Sequence, residues 1–453
     1  MKSCATLLKH VDGRQELRYG GYMDGKIFED ILYSYGQIKF AGIYRGLPEE
    51  ARRRICEQAE LMDFTMLKGA SKTEQAKPRG VISPIRTLTI DEYAGDADRY
   101  REIGLEAISK GRVAALILAG GKGTRLGFDH AKGIYDIGIT HELYIFECQF
   151  SNILDVVREA GTYIHVFIMV NYESEQEVRN FFEVHSYFGY DPEYVHFYSQ
   201  DMSPCLDDNG DMFLEAPARM AMSPNGNGGF YSSLVNAGLD SVIRDAGIEF
   251  INVFAVDNVL QRIADPVFTG ALIASGMSTG AKVVRKCSPD ERVGAICLED
   301  GTPSVVEYYE MTEELKAARL ADGSPAYNYG VILNYMFRIA DIADIVSSRL
   351  PVHMVRKKVP YLGYADGTPY GNRSAGTGTS QLNMSAADVR THEPASPNAY
   401  KLETLALDLV HLTDSALSFE VEREREFAPI KNADGVDSVV TARELLKKNG
   451  VVL

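Results

Sequence analysis

The sequence predicts an α/β protein built on a doubly wound, mostly parallel sheet, and three observations predict it. Short continuous apolar runs recur at Val113–Ala119, Ile164–Val170, Val195–Tyr198, Ile251–Val256 and Lys282–Val284, the pattern of strands buried on both faces. Amphipathic helical stretches separate them, with start signals at Ser174, which has capping-box spacing to Glu177, and at Asp265-Pro266. The chain is also long enough, at 453 residues, for one large or two to three ordinary domains.

Taken in order, residues 1–105 read as a mainly helical region. The Arg52-Arg53-Arg54 triplet there reads as the solvated face of a helix rich in glutamate. Ala70–Pro84 reads as a linker or surface loop, and a helix over Asp98–Ser109 leads into the core. Residues 106–385 form the α/β core. Within it Val293–Leu298 and Ser304–Tyr309 suggest an antiparallel insertion, and Gly363–Ala386 reads as an exposed loop. Residues 386–453 form a short C-terminal segment, with a helix from Asn398 carrying Leu402, Leu405, Leu409 and Leu412. No internal repeat is visible.

Composition narrows the function. With 63 acidic and 47 basic residues the net charge is −16, which repels nucleic acid and anionic membrane surfaces. No apolar stretch approaches the ~20 residues that span a bilayer, and the first ten residues form no signal-peptide core. The six scattered cysteines lack zinc-site spacing and read as reduced thiols, so a cytoplasmic address is expected.

The most informative segment is Leu116-Ile117-Leu118-Ala119-Gly120-Gly121-Lys122-Gly123-Thr124-Arg125-Leu126-Gly127. An apolar strand runs into four glycines and two cations. Glycines let backbone N–H groups converge on an anion, and Arg125 can bond phosphate oxygens in pairs. Leu126 stands where a dinucleotide fingerprint needs its third glycine, and no Gly-Lys-Ser/Thr follows, so both common nucleotide loops are disfavoured.

This segment resembles the signature of sugar nucleotidyltransferases, and the longer match is to the eukaryotic UDP-N-acetylhexosamine pyrophosphorylases. The resemblance runs from about Val113 to Arg443. It passes through Lys132-Gly133-Ile134-Tyr135-Asp136-Ile137-Gly138, Phe197-Tyr198-Ser199-Gln200-Asp201-Met202 and Pro224-Asn225-Gly226-Asn227-Gly228-Gly229. It continues through Val256-Asp257-Asn258, Val305-Val306-Glu307-Tyr308 and Pro429-Ile430-Lys431-Asn432-Ala433-Asp434. It implies a Rossmann-like, GT-A-like core in which the phosphate of a hexosamine 1-phosphate attacks the α-phosphorus of UTP, giving UDP-sugar and pyrophosphate. A phosphate monoester has a second pKa of about 6, so its attacking oxygen needs no side-chain base. The task falls to cations, backbone amides and a hard divalent ion.

The resemblance distributes these roles. Arg125 would hold the departing phosphates with amides around Gly121 and Gly123. Lys132 would reach the UTP phosphates from the other side, as would Lys401, placed in a Lys-x-Glu helix. Lys431 would contact the sugar phosphate. Gln200 and the backbone around Leu118, Ala119, Gly120 and Gly226 would read uracil. Asn227, Glu307 and Tyr308 would face the sugar. Asp257, at the carboxyl end of a strand where open α/β sheets bind ligands, is the candidate ligand for Mg²⁺ or Mn²⁺.

The match departs in places. Lys122 and Ala131 stand where the family has glutamine and proline, and Val331 and Tyr335 stand where it has asparagine and histidine. Valine cannot bond an acetamide, which leaves sugar choice open, with a relaxed UDP-sugar or UDP-glucose pyrophosphorylase and a non-catalytic nucleotide-sugar sensor as other readings. The family's C-terminal β-rich domain is expected to be absent, and the oligomeric state is open.

Overall fold

The computed structural model describes residues 23–70, 79–346, 350–372 and 389–453. The expectations for Cys4 and the first ten residues lie outside these, as do most of the Ala70–Pro84 linker and the Gly363–Ala386 loop. The chain forms two compact units, one of residues 1–77, 201–229 and 347–405, the other of 78–200, 230–346 and 406–453. The units interleave along the chain, whereas the sequence suggested consecutive blocks at 1–105, 106–385 and 386–453.

The larger unit holds an eleven-stranded sheet. Its strands are β1 (Ile82–Ser83), β2 (Thr87–Leu88), β3 (Val113–Ala119), β4 (Val166–Val170), β5 (Val195–Ser199), β6 (Phe250–Ala255), β7 (Thr279–Arg285), β8 (Ala295–Glu299), β9 (Thr302–Val306), β10 (Tyr329–Arg338) and β11 (Ala416–Glu420). The main order is β2-β11-β7-β10-β6-β3-β4-β5. Every residue of β3 and β4 is buried, as continuous apolar strands covered on both faces require. The run β6-β3-β4-β5 is parallel, and so is β2-β11-β7. Between them β10 runs antiparallel to both neighbours, so the sheet is mixed but mostly parallel. The expected antiparallel insertion is the β8–β9 hairpin, joined to β10 at Ala295↔Gly330.

Helices form where the sequence marks them. Asp265 caps the Pro266–Ser275 helix by accepting from the Val267 N–H at 3.1 Å. The Glu175–Val184 helix starts after Ser174, but its capping box does not form. The Ser174 hydroxyl donates to the Asn171 carbonyl, and Glu177 turns to His130 instead. The Ile145–Ala160 helix buries Phe146 and Phe150 edge-on against Phe182.

The smaller unit opens with three helices, Gly25–Ser34, Ile38–Gly46 and Glu49–Ala59, packed on Phe28, Phe40, Tyr44 and Phe64. Arg53 and Arg54 pair with Glu50 on the exposed face, as expected of the triplet, whereas Arg52 is half-buried with its Nε shut off from solvent. Short two-stranded sheets follow, including His353–Lys357 with Ala399–Glu403. The helix expected from Asn398 does not start there. Residues Ala399–Glu403 are a strand, and the helix is confined to Ala406–Leu412. Tyr400 and Leu206 exchange backbone hydrogen bonds at 2.8 and 2.9 Å, which holds the segment extended.

Candidate active site

In the larger unit β3 delivers the glycine turn. The chain folds back on itself through a bridge between Lys122 and Ala131, in which the Gly123 N–H donates to His130 O at 3.0 Å and the Lys132 N–H donates to Gly121 O at 3.0 Å. The Gly123 amide is therefore spent inside the loop, which corrects its expected role as a phosphate donor. The N–H groups of Gly120 and Gly121 have no acceptor among the described residues. Arg125, in a short 3₁₀ turn over Thr124–Leu126, is exposed, and no described carboxylate lies within ion-pair distance of it. It is thus available to an incoming anion. Lys122 is not, because Glu173 holds it at 3.1 Å and raises its pKa. The added charge expected from Lys122 is locally neutralised.

Lys132 sits in the next 3₁₀ turn and is only 8% exposed. Its placement depends on Gly133, where a Cβ would lie 2.2 Å from the ring of buried Phe146. Ala131, in proline's place, has φ −56°, the value proline would impose. The Arg443 guanidinium, on the Val439–Lys448 helix, donates to Ile137 O and Gly138 O at 2.9 Å each and clamps the end of the same loop.

Lys132 Nζ lies 3.2 Å from Asp257 Oδ2. Asp257 occupies the turn that follows β6, the carboxyl end of a central strand. It caps no helix. Its carbonyl accepts from Ile430 N–H at 2.9 Å, and the Asn258 side chain bonds Glu426 O at 2.7 Å and the Ala428 N–H at 2.8 Å. The turn itself is held by side-chain amides, Gln149 and Gln261 buried and Asn152 half-buried: Gln149 donates to Val256 O and Asn258 O, Asn152 to Val259 O and Gln261 O, and Gln261 to Ala255 O. Lys431 follows directly, paired with Asp437 at 3.0 Å. The glycine turn, Lys132, Asp257 and the Lys431 segment thus form one hydrogen-bonded set.

A wholly buried ion cluster lies behind this turn. Lys282 on β7 reaches Glu426 at 2.5 Å, Asp265 at 3.0 Å and Arg262 O at 3.2 Å. Burial raises the pKa of Glu426, an effect Lys282 only partly offsets. Burial also acts against the Asp265 charge, yet Lys282 and Arg262 hold its carboxyl below the usual aspartate value.

Gln200, 7% exposed, accompanies the glycine turn: a Cβ on Gly120 would lie 2.7 Å from its Oε1. Leu118 and Ala119 end β3 beside it, both buried. Glu307 follows β9, with its pKa raised by burial and by neighbouring Glu310, against the pull of Arg79. Gly294 lies next to Glu307, and its carbonyl accepts from the Val331 N–H at 2.9 Å, so Val331 belongs to this neighbourhood. Tyr308 is not in a β run as expected but in a turn, 43% exposed beside Tyr309. Tyr335 is buried against Phe337, packing where the resemblance implied a polar residue.

In the smaller unit Gly226 has φ +87° and lies against Thr404, whose carbonyl oxygen would be 2.2 Å from a Cβ there. Gly228 N–H donates to that carbonyl at 2.9 Å, and Asn227 opens the 3₁₀ turn between the two glycines. Lys401 lies on the Ala399–Glu403 strand opposite Val355 and not on a helix. The amides at Gln149, Asn152, Asn258 and Gln261, and Arg443, were not singled out in the sequence. Their signal is polarity on a buried face, as with Gln149 and Asn152 among Phe146, Phe150 and Ile153.

A mostly parallel sheet with a glycine turn, a lysine–carboxylate pair at a strand's carboxyl end and, in the same turn, Arg125, unpaired among the described residues, fits the nucleotidyltransferase class. The family model for UTP–glucose-1-phosphate uridylyltransferase matches residues 73–362, and the chain belongs to that family. It is 36% identical over 433 residues to UDP-N-acetylhexosamine pyrophosphorylase-like protein 1 of Mus musculus, covering 90% of this chain and 80% of that protein. With UDP-N-acetylglucosamine pyrophosphorylase of Saccharomyces cerevisiae it shares 32% identity over 378 residues, 81% of this chain and 75% of the yeast protein. The solved uridine diphosphate N-acetylglucosamine pyrophosphorylase of Trypanosoma brucei superimposes with a TM-score of 0.78 at 26% identity, covering 94% of this chain and 85% of that one.

Proposed function

We propose that this protein is a UTP:N-acetylglucosamine-1-phosphate uridylyltransferase, releasing pyrophosphate as UDP-N-acetylglucosamine forms. The observation that carries the reading is the hydrogen-bonded set linking the glycine turn to Lys132, Asp257 and the Lys431 segment.

In this reading the β- and γ-phosphates lie over the Gly120 and Gly121 amides with Arg125 as their cation. Lys132 carries charge to the α-phosphate, and Lys431 orients the sugar phosphate for in-line attack. Proximity and electrostatic stabilisation do the work. Gln200 selects uracil with its paired donor and acceptor. Glu307 and Tyr308 serve the sugar; for Gly226 and Lys401 a nucleotide role, and for Asn227 a sugar role, follow from the family resemblance alone. Asp257, a hard oxygen donor at the strand's carboxyl end, is the residue that would hold a magnesium ion. When bound, that ion would supply charge neutralisation for the leaving pyrophosphate. The described residues contain no cluster of three histidine, cysteine or acidic groups that would hold a metal without the nucleotide.

The test is pyrophosphate release from UTP with N-acetylglucosamine 1-phosphate, N-acetylgalactosamine 1-phosphate and glucose 1-phosphate. The proposal expects the N-acetylated sugars to dominate. Preference for glucose 1-phosphate would shift the assignment to a relaxed UDP-sugar enzyme, and UDP-sugar binding without turnover in either direction would make the protein a sensor. Chelation of divalent cations should abolish turnover, and readdition of Mg²⁺ should restore it.

A further inference from the structure

We infer that the buried Lys282–Glu426 pair is a positioning device that sets Asp257 and Lys431 relative to each other. The inference rests on the uridylyltransferase reading of those two residues. Its basis is connectivity. Lys282 bonds Arg262 O and Asp265, which belong to the segment that follows Asp257, and Glu426, which begins the segment that leads to Lys431. The Glu426 carboxylate also accepts from the Arg262 N–H at 3.3 Å, while its backbone carbonyl accepts from Asn258. One ammonium, itself 0% exposed, therefore ties together the two stretches that carry the metal-ligand candidate and the sugar-phosphate cation.

Charge supports a role beyond stability. The cluster has two buried carboxylates and one buried cation, Lys282, with the exposed Arg262 guanidinium 4.0 Å from Asp265, and a second buried carboxylate is costly unless it is tied down. Lys282 and Asp265 alone would make a balanced pair capping the Pro266–Ser275 helix. Glu426 is the group added to that pair: among the described residues its carboxylate bonds only Lys282 and the Arg262 N–H, while its backbone bonds Asn258 and Glu422. Removing Lys282 would strand two buried carboxylates and threaten the fold. Removing Glu426 leaves the balanced pair, so Glu426 is the residue to change.

The experiment uses the full chain with Glu426→Ala and Glu426→Gln. In the alanine variant we expect kcat to fall about tenfold or more, as a small misplacement of reacting groups allows. KM for the sugar 1-phosphate should rise while KM for UTP, bound at the glycine turn, stays within about twofold. Amide hydrogen exchange through residues 428–431 should quicken. Glutamine, which retains the acceptor for Lys282, should restore most of both. A folded alanine variant with wild-type kcat, wild-type KM values and unchanged exchange would overturn the inference, as would a glutamine variant as impaired as alanine. If the alanine variant does not fold, Asn258→Ala cuts the same tie on its other side and must show the same kinetic split. A wild-type protein inactive with every sugar phosphate would refute the function reading alone, because exchange at 428–431 would still decide the tie.

Discussion

At the scale of single residues the site pairs its lysines and leaves its arginine open. Lys122, Lys132 and Lys431 each face a carboxylate, whereas Arg125 has none among the described residues. Arg125→Ala should therefore leave the thermal midpoint unchanged and lower kcat by about 10²-fold, the usual cost of deleting a charge-stabilising donor. UDP-sugar affinity should change far less, because the proposed target is the leaving pyrophosphate, and equal losses in both would remove that role. Gly133→Ala places a methyl against Phe146 and should cost about 1–3 kcal/mol by overpacking, read from denaturant unfolding. Val331→Asn, next to Gly294 and Glu307, should raise the ratio of turnover with N-acetylated over plain sugars. An unchanged ratio would place acetamide recognition elsewhere. The cations and glycines of the turn were legible because their chemistry is local in sequence. The spent amide of Gly123 and the ion pair on Lys122 were not, since each depends on a residue the turn meets only after folding.

Secondary-structure elements were legible where burial on both faces wrote a continuous apolar run, as in β3 and β4. The failure at Ala399–Glu403 has a physical cause. Leu402, Leu405, Leu409 and Leu412 keep helical spacing across a junction, but Leu402 is buried as part of a strand, and only Leu409 and Leu412 belong to the Ala406–Leu412 helix. The long strand β10 left no such run, because Asn334, buried and bonded to Asn252, interrupts its apolar pattern. At the edge of the sheet His196 on β5 stacks on His165, with their ring nitrogens 2.9 Å apart. Burial, then the proximity of His165, lowers the His196 pKa to about 4. A depressed histidine binds fewer protons folded than unfolded, so stability is full above about 6.5 and is lost as pH falls toward about 4. The drop in thermal midpoint between pH 7 and pH 5 should shrink by about half in His196→Phe, and an equal drop in both proteins would exclude this pair as its source.

For the whole molecule, neither the mixed sheet nor the interleaved units could be read along the chain, because both depend on which distant strands become neighbours. β11 lies between β7 and β2, more than a hundred residues from either in sequence. A chain cut after residue 405 would lack this strand and Glu426 together, and is expected to accumulate in the insoluble fraction on expression. Full yield of soluble product from that truncation would show that the sheet closes without it. The same placement has a consequence on the ribosome. With β11 wedged among strands synthesised long before it, the sheet must wait half-built while about three hundred further residues emerge after β2, a pause of tens of seconds at ~5–20 residues per second. β7 itself waits for about 130 of those residues, roughly 7–26 s at that rate, and over that time its apolar flank needs a temporary guardian.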